Sequence, residues 1–213
     1  MGSITTLPQN YLNNIHGFLS PQDCDEITEL MYTYETRILE LANDPKYQPN
    51  HSDYYGTTKE HGKYNWLGII DEELPHIQII ERLQSLLQDQ PFLVDYETVW
   101  VKSWCNKLNP TQHIQYHAHS YPNLKLQDTF FFSSNIFLSD NTHNWHTYYE
   151  TYGHILNEQG TISLLSCFLH HGVDPNHATI PRYSMAMDIY IRDPIDVYSQ
   201  HLEEYKNLTK IYL

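Results

Sequence analysis

Two histidines separated by one residue, His117 and His119, lie in the segment 112–120, which reads QHIQYHAHS. On an extended backbone successive side chains point to opposite faces, so His113, His117 and His119 would share one face. Neutral imidazoles bind iron, zinc and other transition metals, and an H-x-H pair on a strand brings two of them together. A chain with 14 histidines also produces such pairs by chance, so this motif alone leaves metal binding and a structural role both open.

A second histidine-containing segment runs from Gly160 to Ser184 and combines an apolar run, two adjacent histidines, a proline and an arginine. It resembles the iron(II)/2-oxoglutarate-dependent oxygenases, in their small bacterial and phage branch. The pattern of that branch is a glycine, an apolar strand, Leu-x-His-x-Val-x-Pro, and Arg-x-Ser beginning eleven residues after the histidine. In this chain the pattern is met in register by Gly160, Leu169, His171, Val173, Pro175, Arg182 and Ser184.

Two further stretches extend the resemblance over most of residues 15–192. Residues 133–138 are similar to the strand that follows the metal motif in the family. Residues 17–27 are similar to the start of prolyl-4-hydroxylase-like members, where a short strand leads into the first helix. The resemblance implies a mainly β fold with flanking α, namely a double-stranded β-helix (jelly roll) buttressed by N-terminal helices.

The resemblance also implies a site in which His117, His119 and His171 bind Fe(II) while Arg182 and Ser184 bind 2-oxoglutarate. A guanidinium fork pairs bidentately with a carboxylate, and a hydroxyl two residues further along a strand lies on the same face. Most of the superfamily has a carboxylate at the position of His119, so the resemblance supports the other two histidines better. From the residues alone, an ordinary ion pair of Arg182 stays an alternative.

The choice between the adjacent His170 and His171 depends on register. Along one continuous strand Leu165, Leu169 and His171 would share a face, and His170 would lie on the opposite one, so only one of the two imidazoles can face a metal. The family spacing favours His171, because it lies eleven residues after Gly160 and eleven before Arg182.

The predicted activity is 2-oxoglutarate-dependent hydroxylation of an unidentified substrate by a non-haem iron(II) dioxygenase. One alternative is a cupin-like three-histidine dioxygenase that works without 2-oxoglutarate. The other is a non-catalytic jelly-roll protein that binds a metal. Halogenation is disfavoured, because chloride would need a small residue at the position of His119.

The elements that must position these residues divide the chain into a helical half and a β half. The Ser20–Pro21 pair and the helical spacing of apolar residues predict a helix over 21–42, and similar spacing predicts one over 74–89. Val-, Ile- and aromatic-rich runs predict strands over 94–107, 130–138, 161–169 and 183–191. We therefore expect a single domain over 1–213, with helical support at about 20–90, a β core at about 94–192 and a C-terminal helix at about 196–210.

Two histidine- and tyrosine-rich tracts have no sustained periodicity. Residues 43–66 predict a long irregular segment, in which His51 and His61 belong either to a lid or, as we favour, to a loop without a functional role. The tract that contains His143, His146 and His154 predicts a polar aromatic loop over the mouth of the barrel.

Composition restricts the partners. The formal net charge is −14 with only 12 Lys and Arg, which argues against nucleic acid and anionic membranes and leaves a small molecule or peptide as the expected substrate. The first 14 residues lack a signal-peptide pattern, and the three cysteines have no CxxC spacing, so we expect a reducing, cytoplasmic location. Nothing in the sequence predicts the oligomeric state.

Overall fold

The computed structural model describes residues 7–42, 65–69, 74–119, 131–192 and 208–213. Its helices are α1 (Pro21–Ala42), α2 (Trp66–Ile69) and α3 (Leu74–Gln88), with a 3-10 turn at Pro91–Leu93. Helix α1 begins at a reciprocal cap, in which the Asp23 amide donates to Ser20 Oγ and the Ser20 amide donates to the Asp23 carboxylate. The helices predicted over 21–42 and 74–89 are confirmed. Among the described residues, no helix combines the length and apolarity that a membrane span requires.

The described strands form two antiparallel sheets. The larger sheet has the order β1-β7-β4-β9-β2-β10, and the smaller one has the order β3-β8-β5-β6. In chain order the strands are β1 (Leu12–Ile15), β2 (Thr98–Leu108), β3 (Ile114–His117), β4 (Phe131–Phe137), β5 (His146–Tyr149), β6 (Gly153–Leu156), β7 (Ile162–Ser166), β8 (His171–Val173), β9 (Arg182–Tyr190) and β10 (Thr209–Tyr212).

The larger sheet is buried on both faces, and alternation along β9 shows how the faces differ. Met185, Met187 and Ile189 belong to the main apolar core, which also contains residues of α1 and α3 such as Ile27 and Leu83. The residues between them point to the opposite face, towards the smaller sheet. One face of this sheet therefore packs on the supporting helices, and the other lines the space between the sheets.

The predicted strands over 130–138 and 183–191 agree with β4 and β9 to within one residue. The strand predicted from residue 94 begins later, at Thr98, because Val94 caps the 3-10 turn and the chain turns again before the strand starts. The strand predicted over 161–169 is confirmed over Ile162–Ser166, but its continuation to residue 169 is wrong. Strand β7 ends at Ser166, and a turn closed by the Leu169 amide on the Ser166 carbonyl separates it from β8 in the other sheet.

The loop predicted around His143, His146 and His154 is also wrong. Residues 146–156 form the β5–β6 hairpin of the smaller sheet, which turns at residues 150–152 before Gly153 at φ +74°. Two-residue alternation buries the side chains of Thr147 and Tyr149 while those on either side stay more exposed. The polar and aromatic composition of the tract conceals this pattern.

The C-terminal helix predicted over 196–210 falls mostly on residues outside the described ranges, and its last part is wrong. Thr209 and Lys210 belong to β10, which pairs with β2. This pairing covers an edge of the larger sheet and buries Ile211, which is 2% exposed. The irregular segment predicted over 43–66, with His51 and His61, lies outside the described residues except for its last two.

Candidate metal centre

Three histidines meet at one end of the space between the sheets. His117 is the last residue of β3 and His171 is the first of β8, and the two are direct partners in the antiparallel register. His119 follows two residues after the end of β3, in a bend. One potential ligand nitrogen from each imidazole lies within 4.8 Å of the others, so the structure brings together the whole predicted ligand set.

The position of His119 differs from the strand geometry expected from the sequence. Strand β3 comprises only Ile114–His117, so alternation does not extend from His113 to His119. The bend instead brings the His119 ring to 5.2 Å, between centroids, from the rings of both other histidines. His113 is not part of the cluster.

The Nδ1 atom of each imidazole in the cluster faces an oxygen acceptor. It is 2.7 Å from the Gln115 carbonyl in His117, 3.0 Å from the Leu169 carbonyl in His171, and 2.7 Å from the Asp188 carboxylate in His119. A neutral imidazole then carries its proton on Nδ1, and Nε2 is the metal-ligating atom. The hydrogen bonds therefore favour the tautomer with its proton on Nδ1 in all three imidazoles.

Burial keeps two of the imidazoles neutral. It lowers the pKa of His117 to about 4, and the electrostatic influence of His119 acts in the same direction. Burial also lowers the pKa of His171 well below its ordinary value, and the influence of His119 and His117 adds to this effect. Since a metal ligand must present a lone pair, this environment favours the state that binds metal.

Asp188 contacts the histidine cluster and was not among the residues selected from the sequence. It lies on β9, and its Oδ1 accepts hydrogen bonds from His119 Nδ1 and from Ser133 Oγ at 2.7 and 2.8 Å. The available signal was an acidic residue inside an otherwise apolar run, Met-Ala-Met-Asp-Ile-Tyr. Trp104 stacks on the His119 ring at 5.7 Å between ring centroids, so the imidazole contacts both a carboxylate and an indole.

A cavity opens from the histidine cluster into the space between the sheets. Two polar atoms on its wall, Asn106 Oδ1 and Ser134 Oγ, are buried without a hydrogen-bond partner. Such atoms are costly unless a bound molecule supplies the missing partner. The cavity is lined by Trp104, Asn106, Ile114, His117, His119, Ser134, Asn135, Thr147, Tyr149, Leu165, His171, Val173, Ser184 and Ala186.

The two residues predicted to bind 2-oxoglutarate occupy different positions. Ser184 lines the metal cavity and accepts a hydrogen bond from Asn106 Nδ2 at 3.3 Å. Arg182 lies on the same face of β9, deeper between the sheets and near the phenol of Tyr149, and it is only 4% exposed. Arg182 also lines a second cavity, together with residues such as Trp145, His146 and Asp174. The alternative of an ordinary ion pair is not realised with any described residue.

Burial lowers the pKa of Arg182 to about 10, against the opposing influence of Tyr149 and Asp174. A guanidinium with that pKa is still fully charged near neutral pH. The arrangement is therefore a buried cation to which no described residue offers a carboxylate at salt-bridge distance, and an anionic ligand would stabilise it.

His170 lies outside the cluster, in agreement with the choice of His171. Its Nδ1 is 3.5 Å from the Glu150 carboxylate, and its ring stacks on Tyr116. The reason differs from the predicted one. His171 begins a new strand of the smaller sheet, so its direction is set by pairing with β3 and β5 and not by alternation from β7.

Two facing antiparallel sheets with a histidine cluster between them define a double-stranded β-helix, or jelly roll, supported by helices. No family model matches the sequence, and no curated protein matches it either. Solved structures match the fold, at sequence identities that establish the fold alone.

Three of these structures are representative. The viral collagen prolyl hydroxylase vCPH from Paramecium Bursaria Chlorella virus-1, solved as a 2OG complex, is 14% identical with a TM-score of 0.54, covering 85% of this chain and 97% of that one. A Pseudomonas putida prolyl-4-hydroxylase is 10% identical with a TM-score of 0.56, covering 86% and 94%. The epimerase SnoN, solved with Fe3+, alpha ketoglutarate and nogalamycin RO, is 10% identical with a TM-score of 0.57, covering 87% and 80%.

Proposed function

We propose that this protein is a non-haem iron(II)- and 2-oxoglutarate-dependent oxygenase that hydroxylates a small molecule or a peptide side chain. The observation that carries the proposal is the cluster of three imidazoles, each with its Nδ1 on an oxygen acceptor and its ligating nitrogen within 4.8 Å of the others. The similarity in fold to a prolyl hydroxylase solved as a 2OG complex, and to an epimerase solved with Fe3+ and alpha ketoglutarate, supports it.

The donor set fits ferrous iron. His117, His119 and His171 would occupy three positions around the ion, and the remaining positions would face the cavity. Imidazole is a suitable ligand for iron, and three protein ligands leave room for a cosubstrate and dioxygen. The Asp188 carboxylate behind His119 supplies negative charge close to the ion, although no carboxylate is among the three ligands.

The cavity also fits a dicarboxylate. The buried Arg182 cation, beside Tyr149 on the cavity wall, would hold the distal carboxylate, and Ser184 would donate a hydrogen bond to it. Iron with 2-oxoglutarate and dioxygen supplies the oxidising power that hydroxylation of a C–H bond requires. The protein orients these groups and excludes water, because the cavity is enclosed between two sheets.

The experiment is an anaerobic titration of the apoprotein with Fe(II) and then with 2-oxoglutarate, followed by visible absorption. We expect the weak metal-to-ligand charge-transfer band that 2-oxoglutarate gives on chelating ferrous iron. A three-histidine dioxygenase that works without 2-oxoglutarate would bind iron and give no such band. A non-catalytic metal-binding protein would bind iron but consume no dioxygen with any substrate.

Adjacent histidines offer a matched pair of variants. His171→Ala should lose iron and the band, whereas His170→Ala should keep both, because His170 contacts Glu150 and Tyr116 outside the cluster. Iron retained at full stoichiometry by His171→Ala would refute the ligand assignment.

A further inference from the structure

The outer face of the smaller sheet, which points away from the metal cavity, carries exposed aromatic side chains. Along β5 the side chains of Thr147 and Tyr149 line the metal cavity, so alternation turns Tyr148 to the opposite face. Tyr148 is 36% exposed, and Tyr116 of β3 is 49% exposed. Both tyrosines are therefore open to solvent on a face that takes no part in the iron site.

Four rings form a continuous row across this face, which we call the ring row: His170, Tyr116, Tyr148 and His154, in that order. Successive ring centroids are 5.4, 5.7 and 5.1 Å apart. Strands β3 and β5 are separated by β8, and Gly172 of β8 is the register partner of Tyr148. Because Gly172 has no side chain, the two tyrosine rings meet across it. Contiguous exposed rings of this kind mark interaction surfaces.

A carboxylate flanks each end of the ring row. Glu150 lies 3.5 Å from His170 Nδ1, and Asp174 lies 3.3 Å from His154 Nδ1. Both acidic side chains are 60% exposed, and neither forms a salt bridge with a described lysine or arginine. The ring row therefore lies between two negative charges that a partner in solution can reach.

The two carboxylates differ in strength towards a cation. The pKa of Tyr116 is raised, first by partial desolvation and then by the negative charge of Glu150, so this carboxylate acts on the ring row itself. Asp174 also lies in the field of the buried Arg182 guanidinium, which offsets part of its charge. The attraction for a cation is therefore stronger at the Glu150 end.

The chemistry of the face fits a guanidinium. A planar guanidinium stacks on tyrosine rings and pairs with carboxylates, whereas an ammonium is more strongly hydrated and cannot stack. Both carboxylates would repel nucleic acid and an anionic membrane, and a second copy of this chain has the same net charge of −14. A basic partner is complementary both to the face and to the whole chain.

The distance between the two carboxylates sets the spacing of the basic groups. Glu150 lies beside His170, since its amide donates to the His170 carbonyl, and Asp174 directly follows β8. The two negative ends therefore span residues 170–174, which is roughly 13 Å at about 3.3 Å per extended residue. An extended segment that lies along β8 reaches both carboxylates with arginines at positions i and i+4.

We propose that the outer face of the smaller sheet is a docking surface for an extended, arginine-containing segment of a protein partner. One guanidinium packs on Tyr116 beside Glu150, and a second packs on Tyr148 and pairs with Asp174. Docking depends neither on iron nor on 2-oxoglutarate, so it stands or fails separately from the proposed function.

The test follows the tyrosine and histidine ring resonances of the metal-free full-length protein by NMR at pH 7 during addition of a blocked peptide, Gly-Arg-Ser-Gly-Ser-Arg-Gly. We expect saturable shifts of Tyr116, Tyr148 and His170, while His117 and His171 stay unmoved. Binding should weaken several-fold in about 0.5 M salt, because exposed charges are then screened. A peptide with citrulline in place of both arginines keeps the shape without the charge and should give no saturable shift.

The outcomes that contradict docking are distinct from one another. No saturable response to the arginine peptide, or an equal response to the citrulline peptide, would overturn the proposal. Shifts caused by spermine but not by the peptide would replace the protein partner with a small polyamine. A peptide of the same composition with adjacent arginines should bind several-fold more weakly, and equal binding would refute the assigned spacing.

Variants of exposed residues assign the contacts. Glu150→Gln should weaken binding about two- to five-fold, as loss of one exposed ion pair would, and Tyr148→Ala by a similar factor for one cation–π contact. Asp174→Asn should have a smaller effect. Tyr152→Ala is the matched control with unchanged affinity, because Tyr152 is an exposed tyrosine of the same hairpin whose hydroxyl donates to the Asn10 carbonyl. Unchanged affinity when Glu150 and Asp174 are both neutralised would refute the role of charge.

Discussion

Replacement of Asp188 tests whether a carboxylate behind a histidine takes over the role of a carboxylate ligand. Two substitutions separate orientation from charge. Asp188→Asn keeps an oxygen that can accept from His119 Nδ1 and Ser133 Oγ, at the positions now 2.7 and 2.8 Å away, but it removes the negative charge. Asp188→Ala removes both the charge and the acceptor.

The expected loss of metal affinity follows from the burial of the His119–Asp188 pair. The side chains of His119 and Asp188 are 7% and 14% exposed, so water cannot easily replace the lost acceptor. Loss of such a carboxylate partner typically costs ~10- to 100-fold in metal affinity, or about 1.4 to 2.8 kcal/mol. We expect Asp188→Asn near the lower end, and Asp188→Ala near the upper end because it also leaves a buried N–H unpaired.

The assay is anaerobic competition for Fe(II) against a chelator, with Co(II) absorption as an independent report on coordination. Asp174→Asn is the matched control, since it removes an exposed aspartate that also lies beside a histidine, at 3.3 Å, and should leave affinity unchanged. If Asp188→Ala bound Fe(II) as tightly as the parent, with an unchanged Co(II) spectrum, the Asp188 pair would have no role in holding the metal.

Three further predictions concern the cosubstrate, pH and the backbone. Arg182→Leu should still bind iron stoichiometrically, but its affinity for 2-oxoglutarate should fall at least ten-fold. Unchanged succinate production at a limiting concentration of the cosubstrate would contradict this. Folding lowers the pKa of His117 from about 6.5 to about 4. Between these two pH values the unfolded apoprotein therefore binds a proton at His117 that the folded protein does not bind. Denaturation should therefore show stability lost progressively as pH falls from about 6.5 towards 4, by up to about 3 kcal/mol from this group, and metal-saturated protein should be protected. Gly160→Ala should lower the free energy of unfolding by several kcal/mol, since φ is +77° and a Cβ would fall on the Leu19 carbonyl. Gly153→Ala, at φ +74° with nothing near the added Cβ, should lower it by about 1 to 2 kcal/mol. Equal losses measured by chemical denaturation would show that the clash at Gly160 is relieved.

Sequence patterns were sufficient for the long elements. Residues at helical spacing beside a Ser-Pro cap identify α1, because both local signals favour the same structure. Aromatic and aliphatic residues that favour extended backbone identify β4 and β9, although both strands also contain polar residues. The metal ligands could be proposed from spacing and resemblance, because ligand type and order along the chain are properties of sequence.

Other features depend on pairing between distant segments. The β5–β6 hairpin contains histidines and tyrosines that suit a loop equally well, and only its place beside β8 makes it a sheet. The end of the chain contains Thr209 and Lys210, whose strand exists because β2 has an edge to pair. Such non-local hydrogen bonds leave little trace in local periodicity.

The sequence by itself determined which groups can do chemistry: three histidines, one arginine and one serine in a family register. Tertiary structure decided how they are used. It brings Asp188 behind His119 from a strand of the facing sheet, and it buries Arg182 near Tyr149 of the smaller sheet. Both outcomes depend on how two sheets face each other, and packing of that kind is set by the sum of many distant contacts rather than by any local pattern.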